Sequence, residues 1–230
     1  MKKNDLIKLI EDFAPLETQE EWDNCGWQIS TDKDEINKVM ICLSVTKDII
    51  KQAKEQNCDM ILAHHPLFFV PFDYGKDMPV YSAHTNLDKT DGGTTDTIID
   101  ILGYKNSEKI GDFLRIVNDE ISLNDLILKL KINLNLFNIR VANNQGIDKV
   151  RKIAFCAGSG SEFENAAKDN GADVLVTGDI KYHTALDSKI VLIDIGHFES
   201  EIPVLKTLQN LLQNKVETVI AREKSPLQNF

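Results

Sequence analysis

The chain has four cysteines in 230 residues, and no two of them form a C-x-x-C pair. Thiolate zinc sites are built from such pairs, so cysteine-held zinc has no support. Cys42 and Cys156 sit inside apolar, strand-like runs, where a buried, reduced thiol is expected. No apolar run approaches the roughly 20 residues that span a bilayer. In the opening MKKNDLIKLIEDFAP, Asp5, Lys8, Glu11 and Asp12 interrupt the apolar residues, so there is no signal-peptide core and a cytoplasmic protein is expected. A basic patch is missing too. Lys and Arg number 26 against 36 Asp and Glu, and they are scattered. The net charge of −10 repels phosphate backbones and argues against nucleic acid as a partner. There is no G-x-x-x-x-G-K-[ST], no well-placed G-x-G-x-x-G, and no G-x-S-x-G around Ser44, Ser82 or Ser159. P-loop, dinucleotide and serine-hydrolase chemistry are therefore unsupported.

What the chain does have is length for a real core and a globular composition, 42% hydrophobic and 27% charged. Leu6, Ile7, Leu9, Ile10 and Phe13 fit one face of an N-terminal helix. Val39–Val45 reads as a strand, Thr46–Asn57 as a helix capped by Thr46, and Met60–Ala63 and Val80–Ala83 as strands, with a helix near Thr94–Leu102. This alternation implies a largely parallel sheet. Phe113–Ile121 is mixed and extended. Ser122–Leu136 opens with a capping-box-like S-x-x-D and reads as a helix. Phe137–Ala142 alternates like a strand, and Asn143–Asp148 is a turn. Strands follow at Lys152–Ala157, Val174–Thr177 and Val191–Ile195, with a helix at Glu162–Asn170. One longer helix runs to about Leu212, and Val216–Ala221 is a last strand.

The second rhythm repeats the first. An offset of 114 pairs Asp59 with Asp173, Cys42 with Cys156, Ala53 with Ala167 and Lys54 with Lys168. An offset of 113 pairs His84 with His197 and Asp88 with Glu201, so H-x-x-x-D answers H-x-x-x-E. The expected fold is α/β, with two similar, pseudo-duplicated halves (1–110 and 111–230, packed as one compact unit) whose mostly parallel mixed sheets enclose a metal site.

All five histidines fall in four motifs: HHP at 64–66, HTNLD at 84–88, GDIKYH at 178–183 and GHFESE at 196–201. Each follows an expected strand, and ligands of open α/β sheets bind beyond the carboxyl ends of the strands. Adjacent strand residues face opposite ways, so His64 and His65 share a site only if the backbone turns there; Pro66 favours that exit. Two hydrogen-bonded core histidines would look the same. His197 and Glu201, four apart, share a helix face and make a natural chelate, though H-x-x-x-E is common by chance. Asp88 lies before the Gly92–Gly93 pair and could be a ligand. His84 and His183 read better as supporting groups or proton carriers than as ligands. Gly158-Ser159-Gly160-Ser161 is either a tight strand-to-helix turn or a phosphate cradle, the turn being the simpler reading.

EEWDNCGWQI (20–29), ILAHHPLFF (61–69), YSAHTNLD (81–88), LVTGDIKYH (175–183) and LIDIGHFESE (192–201) resemble the Nif-three-like family (NGG-one-interacting factor three), whose members also carry the name GTP cyclohydrolase 1 type 2 homolog. The motifs stand in the family order, and the chain looks like the short form without the inserted middle domain. The resemblance implies two divalent metal ions held by His64, His65, Asp88, His197 and Glu201, and a toroidal homohexamer with metal sites facing an inner cavity. Two departures stand out: Ser44 replaces the family's usual Asp, and DNCGW replaces its DN-V-G-L. Imidazole and carboxylate suit zinc, manganese, iron or nickel. The expected activity is metal-dependent hydrolysis of a small molecule or nucleotide. A non-enzymatic metal-binding regulatory or assembly protein is the alternative.

Overall fold

The computed structural model describes residues 1–67 and 77–227. Phe68 and Phe69 of the ILAHHPLFF motif lie outside the described residues. The chain divides into two compact units, Met1–Asp91 with Val204–Lys224 and Gly92–Pro203 with Ser225–Phe230. The first unit is thus completed by a late segment of the chain, Val204–Lys224.

In the first unit, α1 (Lys3–Phe13) precedes β1 (Gly26–Ile29), β2 (Lys38–Cys42), α2 (Lys47–Glu55), β3 (Met60–Ala63), β4 (Val80–Ser82) and α3 (Thr85–Lys89). The last helix, α9 (Val204–Leu212), and the last strand, β11 (Glu217–Ile220), complete it. The sheet order is β1-β4-β3-β2-β11, parallel except for β1 against β4. β3 is buried throughout and β2 nearly so, which explains their unbroken apolar runs: strands covered on both faces need no polar alternation. Thr46 caps α2, its Oγ1 accepting from the Ile49 N–H at 3.2 Å.

The second unit contains α4 (Thr94–Ile101), β5 (Glu108–Ile110), β6 (Leu114–Ser122), α5 (Leu123–Asn133), β7 (Arg140–Ala142), β8 (Lys149–Phe155), α6 (Glu164–Asp169), β9 (Val174–Thr177), α7 (Tyr182–Leu186), β10 (Val191–Asp194) and α8 (His197–Glu201). Its sheet order is β5-β6-β8-β9-β10-β7. Only β8-β9-β10 are parallel; β5, β6 and β7 pair antiparallel. Ser122 caps α5 as expected, its Oγ accepting from the Asp125 N–H at 3.0 Å and donating to the Asp125 carboxylate at 2.6 Å. The single long helix expected after β10 is two helices. Pro203, which lacks an N–H, ends the first of them just after Glu201.

The repeat is visible in hydrogen bonds. Val39 pairs with Met60 and Ile41 with Leu62; 114 residues on, Ile153 pairs with Val174 and Phe155 with Val176. The Asp59 carboxylate accepts from the N–H groups of Asn37 and Lys38 (2.8 and 3.3 Å), and Asp173 from those of Arg151 and Lys152 (2.8 and 3.2 Å). Each unit thus contains a β-β-α-β-β-α frame, interrupted in the second by the short α7 between β9 and β10, with β1 and β7 as antiparallel edge strands. The offset then falls to 112, not 113. Ile61 pairs with Val80 where Leu175 pairs with Leu192, and α3 and α8 begin at Thr85 and His197. His84 therefore corresponds to Gly196, and Asp88 to Ser200. The His/acid pairs of the two halves stand one residue out of register, which is about 100° around a helix.

Candidate metal centre

In the first unit, parallel β3 and β4 end side by side, and their carboxyl ends carry HHP and HTNLD. The chain turns out of β3 at once, as Pro66 suggested, and both adjacent histidines reach one place. His64 is fully buried. Its Nδ1 lies 2.9 Å from the Ala83 carbonyl, which can only accept, so Nδ1 carries a proton and, in the neutral ring, Nε2 carries the lone pair. Nε2 stands 3.6 Å from Asp88 Oδ1. His65 Nδ1 is 2.7 Å from Ser44 Oγ. Where the resemblance implies an aspartate, this chain holds the ring with a hydroxyl. The Glu223 carboxylate in turn fixes Ser44, accepting from the N–H groups of Leu43 (2.7 Å) and Ser44 (3.1 Å). Burial pushes the Glu223 pKa up, against the pull of those two donors.

His84 joins this group. The candidate ligand atoms of His64, His65 and His84 lie within 4.8 Å of one another. His84 Nδ1 meets Asp23 Oδ2 at 3.0 Å, and Asp23 also accepts from the Thr85 N–H (3.0 Å) and hydroxyl. Burial alone would raise the pKa of Asp23, but the bonds from His84 and Thr85 outweigh it and hold the carboxyl well below the usual range. Beside it, burial pushes the Cys25 thiol up to about 11. All four cysteines are free thiols; burial raises Cys42 well above its ordinary value, and Cys156 is buried as expected.

In the second unit, GDIKYH and GHFESE follow parallel β9 and β10. His197 Nε2 is 3.1 Å from Glu201 Oε2, and its Nδ1 is 2.7 Å from Asp179 Oδ2. Burial opposes the charged imidazole, but the two carboxylates prevail and raise the His197 pKa to about 9. Glu201 is buried. Room for it comes from Gly158, which has φ +65 and where a methyl group would collide with Glu201 Oε1. The Gly158 N–H donates to Ser200 Oγ (2.9 Å) and the Gly160 N–H to Thr177 Oγ1 (2.8 Å). Those donors are committed inside the protein, so the Gly158–Ser161 segment is a tight turn and not a phosphate cradle. His183 is exposed on α7, against Tyr182.

Three aspartates escaped the sequence reading. Asp23 and Asp194 stand in motifs read for their neighbours, and Asp179 lies in a motif read for His183. Their signal was position: each is beside a strand end that carries a histidine.

The family described as Duf34/NIF3 (NGG1p interacting factor 3) matches residues 1–226. The chain belongs to this family. Among NIF3-family relatives, a GTP cyclohydrolase 1 type 2 homolog of Clostridium perfringens is 35% identical, with 99% of each chain covered. One of Campylobacter jejuni is 34% identical over the whole of both chains. Of solved structures, a Staphylococcus aureus hypothetical protein superposes with a TM-score of 0.87 at 26% identity, covering 100% of this chain and 99% of that one. The α/β fold with two mixed sheets is thus a NIF3 fold. Among the described residues, no helix is long and apolar enough to cross a membrane.

Proposed function

We propose that this protein holds two divalent metal ions through His64, His65, Asp88, His197 and Glu201, and uses them to hydrolyse a small-molecule or nucleotide substrate. One observation carries the reading. Three of the proposed ligands, His64, His65 and His197, have Nδ1 held by Ala83 O, Ser44 Oγ and Asp179, which orients each ring and leaves Nε2 as its ligand nitrogen; Asp23 holds His84 in the same way. That is the arrangement metal-binding imidazoles use. The donor set of imidazole and carboxylate suits zinc, manganese, iron or nickel. A bound pair of ions would supply an acidified water and charge stabilisation for a developing oxyanion.

The chain's own residues supply the rest. Asp23 fixes the His84 ring with Nδ1 toward the carboxylate, so His84 can hold or move a proton at Nε2. Asp179 does the same orienting work for His197. The names of the relatives make GTP the first substrate to try. The homohexamer implied by the resemblance is proposed with this reading, and light scattering tests it against the 25.9 kDa chain mass.

The decisive experiment is elemental analysis of the purified protein beside His65→Ala and Glu201→Ala. About two ions per chain are expected in the wild type, with fewer in both variants and turnover abolished. Unchanged metal content in both variants would remove the site assignment. Metal-replete protein inert toward nucleotides, phosphoesters and peptides would leave the metal-binding regulatory role instead.

A further inference from the structure

The geometry points to Asp194 as a positioning residue that sets His197 and Asp179 for metal binding, an inference that rests on the metal reading above. Asp194 is the last residue of β10 and is buried. Its Oδ1 accepts from the Gly196 N–H at 3.0 Å, and its Oδ2 from the Ile180 N–H at 3.1 Å. Oδ2 also pairs with the exposed Arg140. One carboxylate thus ties together two backbone segments. The first leads into His197; the second leaves Asp179.

Both segments are conformationally demanding. Gly196 has φ +90, and Asp179, a residue with a Cβ, has φ +54. A left-handed non-glycine residue persists only where its surroundings hold it. The bond from Ile180, the next residue, to Asp194 is such a hold. With both segments fixed, Asp179 Oδ2 meets His197 Nδ1 at 2.7 Å and His197 Nε2 faces Glu201. Gly178 completes the fit, because a methyl group there would stand 2.7 Å from the His197 backbone nitrogen.

The duplication supports the assignment independently. At the offset of 112, the residue equivalent to Asp194 is Ser82, the last residue of β4. Ser82 is buried, and its Oγ donates to the His64 carbonyl at 2.8 Å. The same position therefore ties the turn after the neighbouring strand in both units. In the first unit that turn carries His64 and His65; in the second it carries Asp179.

The test uses the full chain. In metal-free protein, the hydrogen-bonded Nδ1–H of His197 is read by proton–nitrogen NMR and assigned by its disappearance in His197→Ala. Zinc affinity is read by competition titration. Asp194→Asn should lose that resonance and bind zinc about tenfold more weakly, the lower end of what partners of metal ligands contribute. Its circular dichroism should remain that of the wild type. Asp194→Ser, which copies the residue at the equivalent position, serves if Asn does not fold. Retention of the resonance, or wild-type zinc affinity, overturns the inference. Failure of both variants to fold also overturns it, since Asp194 would then be a residue of the core. If His197→Ala itself binds zinc like the wild type, the metal reading fails, and the resonance alone decides the role of Asp194.

Discussion

The two units share one frame and fill it differently. At the turn after the middle parallel strand, the first unit places His64 and His65, and the second places Gly178 and Asp179. At the entry to the following helix, the first places His84 and the second Gly196. The first unit is thus rich in imidazole nitrogen, with the Asp23 carboxylate behind His84 and Asp88 facing His64. The second has a single imidazole set between two carboxylates, with glycines where the first has rings. The frame specifies where groups converge, while the residues at its equivalent positions decide what converges there. A proposed ligand in one unit, His65, has Asp179, which holds the His197 ring, as its counterpart in the other.

Gly158 gives the largest way to break this arrangement. Gly158→Ala adds a left-handed non-glycine residue, at about 1–3 kcal/mol, and a collision with the Glu201 carboxylate, at about 1–3 kcal/mol more. Gly146 has nearly the same φ, +64, with nothing within 4 Å of an added methyl group. Gly146→Ala should therefore cost only the backbone part. Urea unfolding of the pair separates the two effects, and equal losses would show that Glu201 gives way freely.

The second test turns on His197. In the metal-free protein its pKa is raised to about 9, so at pH 7 it holds a proton between two carboxylates. A metal ion must displace that proton. Zinc affinity should then rise about tenfold per pH unit from pH 7 toward 9, the dependence of one released proton. Titrations across that range check it. In Glu201→Gln the dependence should flatten, because the first cause of the raised pKa is gone.

Much of this was legible in sequence because it is written in local patterns. VMIC and MILA are apolar throughout and became buried parallel strands; Ser122 and Thr46 announced helix starts and cap them. The four histidine motifs each follow a strand, as strand-end chemistry requires. Three things were not legible. The return of β11 to pair with β2 joins residues about 180 apart, and no local pattern encodes it. The true offset of 112 depends on strand register, which a sequence match of His with His concealed. Asp23 meets His84 across 61 residues, so its role appears only when the chain has folded.

Asp23 offers a further comparison through pH. Its folded-state pKa is depressed, so its contribution to stability is present above the unfolded value near 3.9 and is lost as pH falls through the folded one. Asp23→Asn should cost about 1.5–3 kcal/mol at pH 7, the range of a hydrogen bond to a charged group. Wild type and variant should converge as the pH drops below about 4. A constant difference in denaturation midpoint down to pH 2 would show that packing, not charge, sets the cost.

The smallest effect sharpens the contrast most. His197 is anchored by a carboxylate, Asp179, and His65 by a hydroxyl, Ser44, both at 2.7 Å. A carboxylate raises the basicity of the ring nitrogen it faces across, and a neutral hydroxyl does so less. Asp179→Asn should lower metal affinity by about 10–100-fold. Ser44→Ala should lower it less, by about tenfold at most, and Ser44→Asp should restore or exceed the wild-type value. Competition titrations of the three variants rank the anchors. If Ser44→Ala proved as damaging as Asp179→Asn, orientation of the ring would matter and the charge behind it would not, and the two units would differ in composition without differing in how they hold an ion.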